Sequence, residues 1–435
     1  MNIHFTLGRI LLAAAIASCA TSNSSAQAPP SRMVVLGDSV MWGQGLSEDN
    51  KIHSRVANLL QDCLGSRPSE ILIRAHSGAI IGVGDNTVQT PLPGEIPTSY
   101  PTILQQCNNF ADSPGTVDLV ILNGGANDVG GVRILHPFVP IDVILGDVET
   151  HCHQGMTNLL EQASRKFTNP NATIVVNGYY QIISHETPPA FLAALLTGVG
   201  VIVSGAWSPV PGMTIGEGVT AVVTLQIHDT IATKCQRFAD DANTKLRTAV
   251  NEANAVNQGL GRTVRIVFAD PRFGPANSML ASQTRLYALN LDLSPQDAVA
   301  TTRAVQCAQV GSPPAPPRFG CERASMYHPN HSGAQAYADA IFAAFRSTDV
   351  VPPPKDIYVR NTSFPGNIPC FFHTGQKDCT PITASGPYQQ VTSGIDTAAC
   401  GDTVNIRAGS YNESFTIRKS LQLKSYEGPA TVGRP

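Results

Sequence analysis

Residues 33–40 have the sequence Met-Val-Val-Leu-Gly-Asp-Ser-Val. The four consecutive apolar residues predict a short buried strand, which Gly37 ends. Asp38 and Ser39 follow, ahead of a helix predicted over residues 52–64. Nucleophilic hydrolases place a serine on a turn of this kind, because the strand fixes its position while the hydroxyl stays exposed. Gly-Asp-Ser is also common in ordinary turns, so the stretch becomes informative only together with later motifs.

The composition suits a globular chain with many loops. A length of 435 residues exceeds one ordinary domain, so one large domain or two domains are expected. Apolar residues make up 42%, which suffices for a core, and 37 glycines with 32 prolines indicate many loops. The net charge of −3 gives no reason to expect nucleic acid or an anionic membrane surface as a partner.

Residues 1–20 are typical of an export signal. Arg9 supplies the positive start, and residues 10–17 form an apolar run that is too short to cross a membrane. The stretch ending in Cys19 resembles a bacterial lipobox, whose cysteine becomes lipidated and anchors the protein to the membrane. Cleavage after a small-residue triplet would instead release the protein. We therefore expect a secreted protein or a cell-surface lipoprotein of a bacterial envelope, with a flexible tether at residues 21–31.

Export makes disulfides an expected feature. The chain has ten cysteines, and their spacing does not match paired zinc ligands. Proximity in the sequence suggests the pairs Cys63–Cys107 and Cys307–Cys321. The second pair would hold the loop beside His328.

Strand and helix patterns alternate through the middle of the chain. Buried strands are predicted at residues 33–36, 70–75, 117–122, 172–180 and 263–270, with helical patterns that include 152–167 and 231–253. This alternation predicts a parallel sheet covered on both faces, in which functional groups collect at the carboxyl ends of the strands. Ser39, Gly78 and Asn127 each come just after a predicted strand.

These three residues have a shared chemical use. Acyl transfer through a serine needs hydrogen-bond donors aimed at the oxyanion. The backbone N–H groups of Ser39 and Gly78 and the amide of Asn127 could supply them, although Gly78 could be a turn residue and Asn127 a helix N-cap. His328, in a loop ahead of a helix predicted over residues 334–345, is a candidate general base. His331 is the competing candidate.

Together these motifs resemble the four sequence blocks of the GDSL/SGNH hydrolase family. They are Gly-Asp-Ser at 37–39, Gly78, Gly-Ala-Asn-Asp at 125–128 and His-Pro-Asn at 328–330, in the family's order, within residues 33–346. The resemblance implies a three-layer α/β/α, flavodoxin-like fold with a parallel sheet. It implies Ser39 as nucleophile, Ser39, Gly78 and Asn127 as the oxyanion hole, and His328 as general base. It implies no metal or organic cofactor and an ester substrate, since most members are esterases or lipases, including carbohydrate acetylesterases.

The sequence departs from the family pattern at two positions. Val40 replaces the leucine of the family name, which is a conservative change. Ser325 stands three residues before His328, where the family usually has the aspartate that orients the imidazole. A backbone carbonyl near Ser325 could hold Nδ1–H and make the site a dyad, Glu322 or another acid could reach it, or the enzyme could be impaired. We favour the dyad, with Ser325 as the candidate base-orienting position.

A long insertion separates the fourth and fifth predicted strands. Residues 191–207 carry no charged side chain. Three interpretations remain open: a buried helix or apolar surface loop, a flap that contacts an acyl chain, or a segment that touches a membrane.

The chain changes character near residue 350. Residues 350–355, with three prolines, predict a stiff linker after a hydrolase domain at 32–349. Residues 356–435 have the period-two pattern of a small all-β unit. Residues 398–413 resemble the opening coil of pectate-lyase-like right-handed parallel β-helices. Only one or two coils fit before Pro435, as expected of a truncated repeat. This segment could bind glycan or have no binding role.

Two functions from different classes follow. The first is an exported serine esterase that acts as a monomer through an acyl-Ser39 intermediate. The second is a surface glycan-binding protein whose hydrolase domain has lost activity, an idea that Ser325 keeps open. For the esterase, the apolar insertion suggests lipid or other long-chain acyl esters, and the β-helix-like tail suggests acetylated polysaccharide.

Overall fold

A computed structural model of the chain describes residues 30–82, 92–189, 221–288, 296–309, 318–347, 356–359, 371–373, 376–378, 388–398, 400, 402–415, 417 and 421–433. The export signal, most of the tether, the insertion at 191–207 and the linker at 350–355 lie outside these residues. Those four predictions therefore remain predictions.

The centre of the molecule is a five-stranded parallel sheet. Its strands are β1 (Arg32–Val35), β2 (Glu70–Ile73), β3 (Leu119–Leu122), β4 (Thr173–Asn177) and β5 (Arg265–Ala269), in the order β2-β1-β3-β4-β5. Each strand falls within or next to a predicted segment, and the parallel flavodoxin-like sheet is confirmed. β3 and β4 are buried along their whole length, which explains the uninterrupted apolar sequence of β3 and the apolar centre of β4, Ile-Val-Val.

Helices connect the strands and form the outer layers. They are α1 (Ser39–Trp42), α2 (Ile52–Leu64), α3 (Ile103–Asn108), α4 (Ala126–Val129), α5 (Gly131–Leu135), α6 (Ile141–Val148), α7 (Met156–Lys166), α8 (Ala221–Gly259), α9 (Ala300–Gln309), α10 (Arg318–Glu322) and α11 (His331–Arg346). A π-helical stretch, Glu149–Gly155, joins α6 to α7. α11 packs on α2, β4 and β5, whereas α8 packs on α7 and β5. The sheet is therefore the middle layer of three, as predicted.

The helices differ from the sequence pattern mainly in their ends. The predicted helix at 231–253 is the central part of α8, a 39-residue helix. The pattern at 152–167 divides into the π-helical stretch and α7. None of the helices in the described parts of the chain has the length and apolar character needed to cross a membrane.

The C-terminal part contains the predicted small sheet. β6 (Asp356–Val359), β9 (Thr403–Tyr411) and β10 (Gln422–Val432) pair in parallel, in the order β10-β9-β6. β7 (Phe371–His373) and β8 (Gln376–Asp378) form a separate antiparallel pair. One short helix, α12 (Val391–Thr397), packs against β6 and β9, so the segment is not purely β. Its core includes Ile357, Val391 and Val404 and is separate from the core of the large sheet.

The disulfide pattern corrects one of the two suggested pairs. Cys307 and Cys321 are bonded, as predicted. Cys63 is bonded to Cys400, not to Cys107. Cys107 is fully buried in α3, whereas Cys63, near the end of α2, is partly exposed and meets the C-terminal segment. Closeness in the sequence was therefore misleading for this pair.

Candidate active site

Ser39 is the first residue of α1, directly after β1. Asp38 caps this helix by accepting a hydrogen bond from the Val40 N–H at 2.9 Å. Gly37, at φ 134°, makes the turn possible because a Cβ at this position would overlap the side-chain oxygen of Asn123. The turn holds the Ser39 hydroxyl above the carboxyl end of the sheet.

His328 meets Ser39 across this edge of the sheet. Its Nε2 lies 2.6 Å from Ser39 Oγ, within hydrogen-bond distance. The loop that carries His328 is fixed on one side by Asn330, which caps α11 through the N–H groups of Ser332 and Gly333. His331, the competing candidate, is exposed at the start of α11. The structure therefore brings together the two residues predicted as nucleophile and base.

A backbone carbonyl contacts the other nitrogen of the imidazole. His328 Nδ1 lies 3.0 Å from the carbonyl oxygen of Met326. Ser325 accepts a hydrogen bond from the His328 N–H through its own carbonyl, while its hydroxyl accepts one from Arg303 Nη2 at 3.4 Å. The imidazole contact thus comes from Met326, one residue beyond the candidate position.

Ser325→Ala is expected to keep most of the hydrolytic activity. The substitution removes only the long contact to Arg303 and leaves the Met326 carbonyl in place. We would measure kcat/KM on p-nitrophenyl esters. A loss of about a hundredfold or more would show that the Ser325 hydroxyl itself orients the base.

The surroundings of His328 favour the neutral imidazole. Burial, the largest cause, lowers its pKa to about 4, and the positive charge of Arg303 acts in the same direction. The hydrogen bond to the Met326 carbonyl opposes this effect. Among the described residues, neither ring nitrogen contacts a carboxylate, so none of their carboxylates stabilises the charged form through a direct bond.

The activity should consequently persist into acid. A general base works as neutral imidazole, and the neutral fraction is lost only as the pH falls through the pKa. Lowering that pKa from 6.5 to about 4 moves the acid limb of kcat/KM downward by the same amount. A profile measured from about pH 3 to pH 8, with folding checked by circular dichroism, tests this expectation. An acid limb near 6.5 would contradict it.

The three predicted oxyanion donors lie in neighbouring turns. Gly78 follows β2 with φ 80°, and a Cβ at this position would come within 2.6 Å of the Thr98 backbone nitrogen. Asn127 Nδ2 donates to the carbonyl of Ala79 at 3.0 Å, which places its amide against the Gly78 turn. Among the described residues, neither the Gly78 nor the Ser39 N–H has an acceptor. These N–H groups and the second hydrogen of the Asn127 amide are available to a developing oxyanion.

A buried network beneath these turns was not predicted. The Asp38 carboxylate accepts hydrogen bonds from Asn123 Nδ2 at 2.7 Å and from the Tyr179 hydroxyl at 2.8 Å. The Tyr179 oxygen also accepts from the Ala126 N–H at 3.3 Å, which joins the turn of Ser39 to the turn of Asn127. Burial raises the pKa of Asp38, and these hydrogen bonds oppose the rise. Asn123 and Tyr179 both follow strands of the sheet. The rule that functional groups collect at the carboxyl ends of parallel strands, which pointed to Ser39, could therefore also have found them.

The described residues contain no group of three or more His, Cys, Asp or Glu side chains that could hold a metal ion. The arrangement offers a serine nucleophile, a neutral base and oxyanion donors.

Known proteins resemble this chain to different degrees. The crystal structure of the lipase Lip_vut3 from a goat rumen metagenome is 13% identical and covers 72% of this chain and 96% of its own, with a TM-score of 0.36. The crystal structure of TesA is 16% identical and covers 50% of this chain and 99% of its own, with a TM-score of 0.23. No curated protein matches the sequence. Residues 35–336 match the GDSL-like lipase/acylhydrolase family, and this match spans more than half of the chain. The chain therefore belongs to the GDSL-like lipase/acylhydrolase family and is an ester hydrolase.

Proposed function

We propose that this ester hydrolase is an exported serine esterase that works through an acyl-Ser39 intermediate. The observation that carries the proposal is the 2.6 Å contact between Ser39 Oγ and His328 Nε2, beside the turns of Gly78 and Asn127. An activated serine needs a base at this distance.

The reaction proceeds in two stages. His328 Nε2 takes the Ser39 proton as Oγ attacks the carbonyl carbon of the ester. The N–H groups of Ser39 and Gly78 and the Asn127 amide stabilise the oxyanion. Collapse of the tetrahedral intermediate breaks the bond to the alcohol, which receives the proton from His328. Water then attacks the acyl-serine by the same route and releases the acid.

The Met326 carbonyl supports this cycle by contacting the Nδ1 side of the imidazole. By accepting the Nδ1–H, it selects the tautomer in which Nε2 is free to take the Ser39 proton. It offers a dipole in place of a full negative charge, so the imidazolium is stabilised less than in a triad. This agrees with the lowered pKa of His328.

The export part of the proposal is supported by the cysteines. The bonds Cys63–Cys400 and Cys307–Cys321 are typical of proteins that mature in an oxidising compartment. They agree with the signal-like residues 1–20. Whether Cys19 carries a lipid anchor is a separate question, which mass spectrometry of the membrane-bound and released protein would answer.

The test uses the full-length protein and two esters, p-nitrophenyl acetate and p-nitrophenyl octanoate. A fluorophosphonate probe should block hydrolysis and label the peptide that contains Ser39. A label on another residue, or hydrolysis that survives complete labelling of Ser39, would overturn the proposal. Preference for acetate would favour acetylated polysaccharide as the natural substrate, and preference for octanoate would favour lipid.

A further inference from the structure

A fully buried arginine lies next to the segment that presents the base. Arg303, on α9, has no exposed surface. Its Nη1 lies 3.2 Å from Glu95 Oε2, and its Nη2 forms an ion pair with Asp297. Burying three charged groups together is costly unless every hydrogen bond is made. A cluster of this kind therefore calls for an explanation beyond stability.

The guanidinium reaches the loop of His328 directly. Arg303 Nε donates to the Glu322 carbonyl at 3.3 Å, and Nη2 reaches the Ser325 hydroxyl at 3.4 Å. Turns formed by backbone hydrogen bonds connect Glu322 to His328. In the last of them, the His328 N–H donates to the Ser325 carbonyl at 3.0 Å. The Cys307–Cys321 disulfide ties the same helix to the residue before Glu322. Arg303 thus holds the start of the segment that carries the Met326 carbonyl.

The same cluster reaches the other two parts of the site through Glu95. Glu95 Oε1 accepts from Trp42 Nε1 at 2.9 Å, and Trp42 ends the helix that Ser39 begins. The neighbouring Gly94 carbonyl accepts from the Ser77 N–H at 3.1 Å, directly before Gly78. The helix that carries Ser39, the turn before Gly78 and the loop of the base all contact Arg303 or the residues around it.

We infer that Arg303, held by Glu95 and Asp297, is a positioning residue that fixes the Met326 carbonyl and His328 relative to Ser39 and Gly78. In the described part of the site, a backbone carbonyl and not a carboxylate contacts Nδ1 of the base. Arg303 is fully buried and does not contact the imidazole, so it acts through the segment it holds. The inference rests on the proposed role of Ser39 and His328. It agrees with the expectation for Ser325→Ala, since that change leaves the Glu322 contact intact.

Charge provides a second readout besides rate. The positive charge of Arg303 disfavours the imidazolium, whereas Glu95 and Asp297 contact the guanidinium and not the imidazole. Removal of the cluster should therefore raise the pKa of His328. Among the described residues, other titratable or charged groups also face the cluster or the imidazole. Lys51 acts on Glu95, Tyr287 lies in the field of Arg303 and Asp297, and the tilted ring of Tyr327 lies 5.0 Å from that of His328.

Two variants test the inference. Arg303→Lys keeps the charge but loses the planar fork that holds the loop. The combined variant Arg303→Met, Glu95→Gln and Asp297→Asn removes all three charges without leaving a buried carboxylate unpaired. Arg247→Lys, which alters an exposed pair with Asp270, is the matched control. The wild type and these three variants are assayed together. Each rate is divided by the concentration of active sites, which is counted with the fluorophosphonate probe.

Misplacement of the base should lower kcat in both test variants by about 10- to 100-fold, with little change in KM. The acid limb of kcat/KM should move to higher pH in the combined variant only.

If both variants fold with wild-type kcat per labelled site and an unmoved acid limb, the inference is wrong and Arg303 is structural. If neither variant folds, Glu95→Gln decides: a lower kcat per site supports the inference, and an unchanged kcat overturns it. Wild-type protein without Ser39-dependent hydrolysis would instead refute the proposed function.

Discussion

Ser39→Ala is expected to lower kcat/KM on p-nitrophenyl acetate and octanoate by about 10⁴-fold or more. The Ser39 oxygen forms the covalent bond to the acyl group, and the described site offers no second hydroxyl within reach of His328 Nε2. The oxyanion donors remain, so a small rate above that of water should survive. Initial rates and labelling by the fluorophosphonate probe measure the loss. Ser347→Ala, at an exposed serine after α11, should behave like the wild type.

Combining Ser39→Ala with a substitution of His328 tests whether the two residues act as one unit. His328→Ala removes the base and should lower kcat/KM nearly as much as Ser39→Ala, because neither residue can perform its step without the other. The double variant should then be no slower than the slower single variant. Losses that multiply would mean that the two residues act independently, which would contradict the acyl-enzyme mechanism proposed from their contact.

Asn127→Ala should produce the next largest loss, roughly 10²- to 10³-fold in kcat. The amide is one of three donors available to the oxyanion, and such a donor matters most once negative charge has developed. KM should change little for the same reason. Steady-state kinetics that separate kcat from KM provide the measurement.

The structure also sets a condition on this experiment. Asn127 donates to the Ala79 carbonyl, so its loss also removes one hydrogen bond from the turn that carries Gly78. The melting temperature must therefore be measured in parallel, with Asn251→Ala, an exposed position on α8, as control. Unchanged kcat in folded Asn127→Ala protein would remove Asn127 from the oxyanion hole.

The sheet could be predicted from sequence because each strand contains at least three consecutive apolar residues and is followed by a turn or loop. β3, with the sequence Leu-Val-Ile-Leu, has no polar position to obscure this pattern. Helix ends were harder to predict. α8 extends ten residues before the predicted start at 231, because packing on β5 and α7 can extend a helix beyond its clearest periodic part.

The site was predictable only where chemistry depends on a side chain in a recognisable block. Ser39 and His328 belong to such blocks, and their contact lies at the expected edge of the sheet. The Met326 carbonyl could not be assigned, because every residue has a backbone carbonyl and sequence does not show which one faces the imidazole. Arg303 and Glu95 come from distant segments without a motif, so only the fold reveals that they meet.

The Cys63–Cys400 bond has a topological consequence. It closes a covalent ring across a sequence separation of 337 residues, and this ring contains Asn127, Arg303 and His328. Ser39 lies just outside it, on the N-terminal arm. A single protease cut anywhere within the ring opens the circle but leaves one molecule, with the C-terminal sheet still attached. After a cut within the ring, release of that sheet also requires a reductant, so under oxidising conditions an enzyme nicked there keeps all its parts.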